Sequence, residues 1–182
     1  MQHLAHLSVE SLIPHRPPMQ LLSRVLCAGP EEIWSCVVLD RNAPFVAADQ
    51  DQGLADGQVA AVITLEYMAQ TAAAFFSVQA LGIEAEPAAP RPGMLIGCSQ
   101  LSCTTAAIAI PTTVAVQASL ASALPASADA SALVRFTGKV FDLQSATDPD
   151  ADPAAIVTVA ATQTPIAEAV LSVFLPAAGK TQ

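Results

Sequence analysis

A chain of 182 residues is long enough for one domain with a real apolar core and too short for two ordinary ones. Its 16 acidic residues outnumber 7 basic ones, a formal charge of −9, and the basic residues are scattered singly, which excludes the clustered Lys and Arg of a nucleic-acid footprint. Apolar residues make up 53% and charged ones only 13%, so the chain is expected to hide part of its surface against a second subunit, although alanine supplies some of that excess.

The first residues, Met1-Gln2-His3-Leu4-Ala5-His6, lack a basic stretch followed by an apolar one. No secretory leader is therefore expected, and a cytoplasmic location is. Residues 8–14 can form one helical turn capped by Ser8 and closed by Pro14. Pro14-His15-Arg16-Pro17-Pro18 is too rich in proline for regular structure. Met19 to Leu26 reads as a strand, and Glu32 to Leu39 as its hairpin partner across Gly29-Pro30. Residues 41–58 are rich in Asp, Gln, Gly and Ala without periodicity, and read as a long loop of the kind that is functional or mobile.

Residues 60–81 form the clearest element. The segment has no proline, is rich in Ala, Leu, Met and Gln, and predicts a helix that Gly82 would stop. Apolar residues surround nearly its whole circumference, the pattern of a helix buried on most sides. Glu66, Gln70 and the many alanines argue against a membrane span. A Pro- and Ala-rich linker, Glu84 to Pro92, leads to strand-like runs at Gly93–Cys103, Thr112–Ala121, Ala132–Asp142 and Ile166–Leu175. Ala155–Ala161 either extends a hairpin or belongs to an insertion, and Gln144–Pro153 reads as an exposed loop. The order is a strand pair, one long buried helix, then several strands. It predicts a single α+β domain over 1–182, with an antiparallel sheet of five or six strands curled around one central helix.

Cys27, Cys36, Cys98 and Cys103 include no C-x-x-C pair and no neighbouring His. They read as small buried residues with free thiols, and no metal site or cofactor is expected.

Two segments together resemble one family. Leu12-Ile13-Pro14-His15-Arg16-Pro17-Pro18-Met19-Gln20-Leu21-Leu22-Ser23-Arg24-Val25 is similar to the opening motif of the bacterial 3-hydroxyacyl-carrier-protein dehydratases. Glu66-Tyr67-Met68-Ala69-Gln70 resembles their E-x-M-A-Q helix motif. P-H-x-x-P-M, E-Y-M-A-Q and the terminal Val173-Phe174-Leu175-Pro176 look closest to the dehydratase-like proteins of aryl-polyene gene clusters. The resemblance implies a hot-dog fold, a dimer with sites between protomers, and an acyl thioester on carrier protein or CoA as substrate. Well-known members also carry a histidine in an H-F-P-G loop ahead of the helix. The corresponding loop here has none, so their His–Glu pair does not carry over.

Removing water from a 3-hydroxyacyl thioester requires a base for the C2 proton, an acid for the departing hydroxyl, and donors for the thioester oxygen. A carboxyl on a largely apolar helix suits the acid role, because desolvation favours a protonated carboxyl. Glu66 is the only acidic residue between Asp56 and Glu84, and becomes the leading catalytic candidate; the bland alternative is a surface-facing or structurally bonded Glu66. His15 is either the base or an organiser of its own loop, since His3 and His6 lie in a terminal segment expected to be mobile. Gln70, one turn beyond Glu66, either positions it or ties the helix to a loop. By the resemblance, Ala61 takes the place of a glycine whose N–H meets the thioester oxygen. Arg16 either pairs with a carboxylate or meets the substrate's phosphopantetheine. Two rivals stand beside the dehydratase: a non-catalytic hot-dog partner of an active subunit, and a thioesterase.

Overall fold

The computed structural model describes residues 1–4, 6–48, 53–81, 93–123, 131–144, 148 and 150–176. Gln2–His3 forms a minimal strand β1, Val9–Leu12 the single turn α1, and Arg24–Ala28 and Glu32–Leu39 the hairpin strands β2 and β3. After the loop come Gln58–Ala60 (β4), a 3-10 turn at Ala61–Ile63, and the central helix α2, Thr64–Leu81. Met94–Cys103 (β5), Ala107–Ala109 (β6), Thr112–Ala123 (β7), Ala132–Asp142 (β8), Pro153–Ala161 (α3) and Ala167–Leu175 (β9) complete the chain. Seven strands form one antiparallel sheet in the order β1-β2-β3-β7-β8-β9-β5, and β4 pairs separately with β6. This is the hot-dog plan, with one strand more than the sheet expected from sequence. The additional strand is β1, whose two residues are too few to show alternation.

The sheet curls onto α2 because its strands alternate. Val134, Phe136 and Val140 of β8, and Ala167, Ala169, Leu171 and Val173 of β9, turn inward to one buried cluster with Tyr67, Met68, Ala72, Ala74 and Phe75. A helix enclosed on so many sides needs no polar face. Its buried polar groups find partners instead: the Ser35 and Thr71 hydroxyls share a 2.7 Å hydrogen bond, and Thr71 donates to the Tyr67 carbonyl at 2.7 Å. Burial pushes the Tyr67 phenol up to about 12. Among the described residues one helix, Ala61–Leu81, is long and apolar enough to cross a membrane, and it is this core helix.

Three local expectations change. Residues 19–23 are irregular, with the Met19 and Gln20 N–H groups turned back onto the Arg16 carbonyl, and β2 begins only at Arg24. Ala155–Ala161 is not strand but helix. Asp152 caps it by accepting from the Ala154 N–H at 3.0 Å, Pro153 opens it, and Ile156 and Ala160 pack on the outer sheet face against Trp34, Cys36 and Phe141. The four thiols are free, yet only Cys27 and Cys36 are buried; Cys98 and Cys103 are exposed on β5. The Gly82 stop and the linker Glu84 to Pro92 lie outside the described residues, as does part of the loop Gln144–Pro153.

Candidate active site

Glu66 lies in the first turn of α2, beside a cleft of about 90 Å³ lined by His15, Ala69, Ala73, Gly93, Leu95 and Val173. The cleft exists because α2 presents small side chains there while β5 and β9 pass across it. Larger open hollows lie around Met1, Gly29 and Pro30, where no histidine meets a carboxylate. The His15 Nε2 is 3.7 Å from the Glu66 Oε1, too far for a hydrogen bond and near enough for both to meet one substrate. The histidine is carried there by the proline-rich segment after α1. Its Nδ1 is buried and has no hydrogen-bond partner among the described residues.

Gln70 bonds both to Glu66 and to the loop backbone. Its Nε2 donates to the Glu66 Oε1 at 2.9 Å and to the Met19 carbonyl at 2.7 Å, and its Oε1 accepts from the Leu21 N–H at 3.0 Å. The Leu21 amide can only donate, which fixes the orientation of the fully buried Gln70 carboxamide. Oε1 of Glu66 therefore acts as acceptor, and a proton on this carboxyl belongs on Oε2. The carboxyl is less hidden than its apolar helix suggested: Glu66 is 35% exposed and His15 34%. The reason is local. Glu66 shares its helix face with Ala69 and Ala73, which do not cover it, and among the described residues Leu95 of β5 and Gly93 just before it are what that side of the sheet brings to the cleft.

Two expected substrate contacts are engaged within the chain. Ala61 donates its N–H to the Ala106 carbonyl at 2.9 Å, beside the β4–β6 pairing, so that amide is not open to a thioester oxygen. The next amide, that of Val62, begins the helix and has no acceptor within it. Val62 is 56% exposed and lies one turn before Glu66 on the same face. Sequence reasoning missed this because β6, three residues long, gave no pattern to betray its neighbour Ala106. Arg16 pairs with no carboxylate among the described residues. Its Nη1 donates to the carbonyls of Ile13 and His15, at 2.9 and 2.8 Å, and so shapes the loop that carries His15. Burial pushes the Cys27 and Cys36 thiols up, away from nucleophilic thiolate. Among the described residues, no group of three His, Cys, Asp or Glu side chains converges as a metal site would require.

The fold recurs in solved structures. The Dehydratase Heterocomplex ApeI:P from Xenorhabdus doucetiae aligns with a TM-score of 0.67 and 20% identity, over 96% of this chain and 93% of that one. A thioesterase family protein from Silicibacter pomeroyi aligns with a TM-score of 0.53 and 12% identity, over 93% and 96%. No curated protein sequence gave a significant match. The family model described as ApeP-like, ApeP dehydratase, matches residues 7–182, nearly the whole chain, and the protein belongs to that family.

Proposed function

We propose that this chain is a 3-hydroxyacyl-thioester dehydratase subunit that eliminates water from an acyl group carried on carrier protein or CoA. The observation that carries this reading is the Glu66 carboxyl, held by Gln70 in a cleft that His15 also lines, its Nε2 3.7 Å from the Glu66 Oε1. With substrate in the cleft, the His15 Nε2 takes a proton from C2. The C2–H electron pair becomes the C2=C3 double bond, the C3–O bond breaks, and the proton on the Glu66 Oε2 joins the departing hydroxyl as water. The Val62 N–H, at the helix start one turn before Glu66, is the donor assigned to the thioester oxygen. The product is a 2-enoyl thioester, as fatty-acid or polyene-type chain building requires.

A second hot-dog subunit docked along β5 completes the proposal. All ten residues of β5 are exposed, and its Leu95 already borders the cleft, so a partner there would close the site over Glu66. That the similar Xenorhabdus doucetiae structure is a heterocomplex supports a partner of a different sequence over a second copy. The same openness favours one other reading, in which this chain only supports a catalytic partner.

The test is enoyl-thioester formation from 3-hydroxyacyl pantetheine, by the purified protein alone and with a co-encoded hot-dog subunit. Glu66→Gln is expected to lower kcat ~10²–10⁴-fold, the usual contribution of a general acid, with association unchanged. Unchanged turnover in Glu66→Gln, with activity tracking the other subunit's residues, would make this chain the supporting partner. Release of free thiol without enoyl product would make it a thioesterase.

A further inference from the structure

Glu66 and Gln70 share one face of α2 with Ser77, which stands about two helical turns beyond Gln70. The half-buried Ser77 hydroxyl donates to the Leu12 carbonyl at 2.7 Å. Leu12 ends α1 and is fully buried, and no backbone N–H among the described residues reaches its carbonyl. Without Ser77 that acceptor would be left unpaired, so the contact fixes where α1 ends against α2.

From there the path to His15 has few free torsions. Ile13 is extended, with φ −128° and ψ 152°, as a residue before proline prefers, and Pro14 fixes its own φ. The Arg16 Nη1 then bridges the Ile13 and His15 carbonyls at 2.9 and 2.8 Å. The span is short as well. An extended chain covers roughly 10 Å between Leu12 and His15, whereas Ser77 and Glu66 stand roughly 16 Å apart along the helix axis. Side chains cover the remainder, which leaves little slack. Beyond His15, Gln70 takes hold of the Met19 carbonyl and the Leu21 N–H. The loop that carries His15 thus leaves and rejoins the helix that carries Glu66.

We propose that Ser77 is a positioning residue for His15. By anchoring the Leu12 carbonyl it sets the reach of a taut segment, and with it the 3.7 Å approach of the His15 Nε2 to the Glu66 Oε1. The proposal rests on the dehydratase reading, in which His15 is the base. Ser77 lies too far along α2 to touch the reacting carbons, so its effect on turnover passes through His15.

The experiment joins kinetics of the full chain, with whatever second subunit it needs, to hydrogen exchange of the backbone amides of residues 13–20. Ser77→Ala is expected to lower kcat ~10–100-fold and to change KM by less than ~3-fold, because a misplaced base costs turnover rather than binding. Ser77→Thr, which keeps the hydroxyl, should restore kcat to within ~3-fold of wild type. In a His15→Ala background, Ser77→Ala should not lower the residual turnover further, whereas a general loss of stability would lower both backgrounds alike. Pro14→Gly, at an exposed position, gives the segment slack and should mimic Ser77→Ala; it decides the matter if Ser77→Ala fails to fold. Unchanged kcat in these variants, or equal losses with and without His15, overturns the proposal. Exchange separates this outcome from failure of the dehydratase reading. Faster exchange at 13–20 in Ser77→Ala, reversed in Ser77→Thr, with no turnover in any form, defeats the dehydratase and keeps the tether. Dehydration that needs Glu66, with exchange and kcat unaltered by Ser77→Ala, defeats the tether alone.

Discussion

Gln70 satisfies three groups at once because a carboxamide is a donor on one side and an acceptor on the other. It holds the Met19 carbonyl, the Leu21 N–H and the Glu66 carboxylate together, with none of its own surface exposed. Glutamate of the same shape could not do this, since an ionised carboxylate offers no donor to Met19 or Glu66. Gln70→Ala should therefore leave the Met19 and Leu21 backbone groups without partners. Each such loss costs about 1–3 kcal/mol, so denaturant unfolding should show a loss of roughly 2–6 kcal/mol. The same variant is expected to lower kcat ~10–100-fold by freeing the Glu66 carboxyl to rotate. Lost stability with unchanged kcat would mean that Gln70 only ties the loop to the helix.

At the scale of elements, α2 lies close upon the sheet because β8 carries Gly138 beneath it. A Cβ built there would meet the Met68 Sδ at 2.5 Å, its Cγ at 2.8 Å and its Cβ at 3.0 Å. The sulfur can swing away, but the Cβ is rooted in the helix, so Gly138→Ala must push α2 outward. Overpacking of this kind costs about 1–3 kcal/mol, to be read as a fall in the denaturant midpoint. Met68 is two residues from Glu66, so the shift should also appear as reduced turnover. An unchanged midpoint would show that the sheet bends instead. This close fit was invisible in the sequence, where Gly138 sits in a strand pattern with nothing to mark the partner that requires it.

Other elements were legible for physical reasons. β8 fell on its expected residues because its alternation leaves one register that buries the apolar set, and β3 because it is a short, continuous apolar run buried on both faces and bounded by turn residues. The helix stood out through composition and the absence of proline. Strands of two or three residues carried no such signal, and α3 was missed because Ala, Ile and Val in a nine-residue run suit a short strand as well as a helix. Within the site, Glu66 and Gln70 could be paired from helical spacing alone. His15 reaches Glu66 across fifty residues of chain through the loop geometry that Arg16 helps to set, and the Ala106 carbonyl that engages Ala61 depends on a β4–β6 pairing no local pattern announces.

The whole molecule presents two sheet edges of very different kind. One ends at β1, two residues long, too short to template another strand. The other is β5, ten residues long and exposed throughout, about 33 Å of edge with unpaired backbone groups. Met94 (52% exposed), Ile96 (59%) and Leu101 (38%) add apolar side chains to it. A lone soluble chain normally blunts such an edge with charge, proline or bulges; β5 holds no charge or proline, and its pairing with β9 shifts register at Leu95–Gly97 and Ser99–Ser102. Pairing with a second subunit would satisfy the edge, account for the scarcity of charge in the composition, and close the cleft beside Leu95. Replacing Met94 and Ile96 together by Asp should abolish that pairing, because both carboxylates would have to be buried unpaired. Both positions are already exposed, so the isolated fold should keep its circular dichroism spectrum. Sedimentation should then show a monomer where the parent protein sediments as a dimer or heterodimer, and dehydration should be lost along with the assembly. A double variant that still associates, or a parent protein that is monomeric and fully active, would remove β5 from the site and require Glu66 to work in an open cleft.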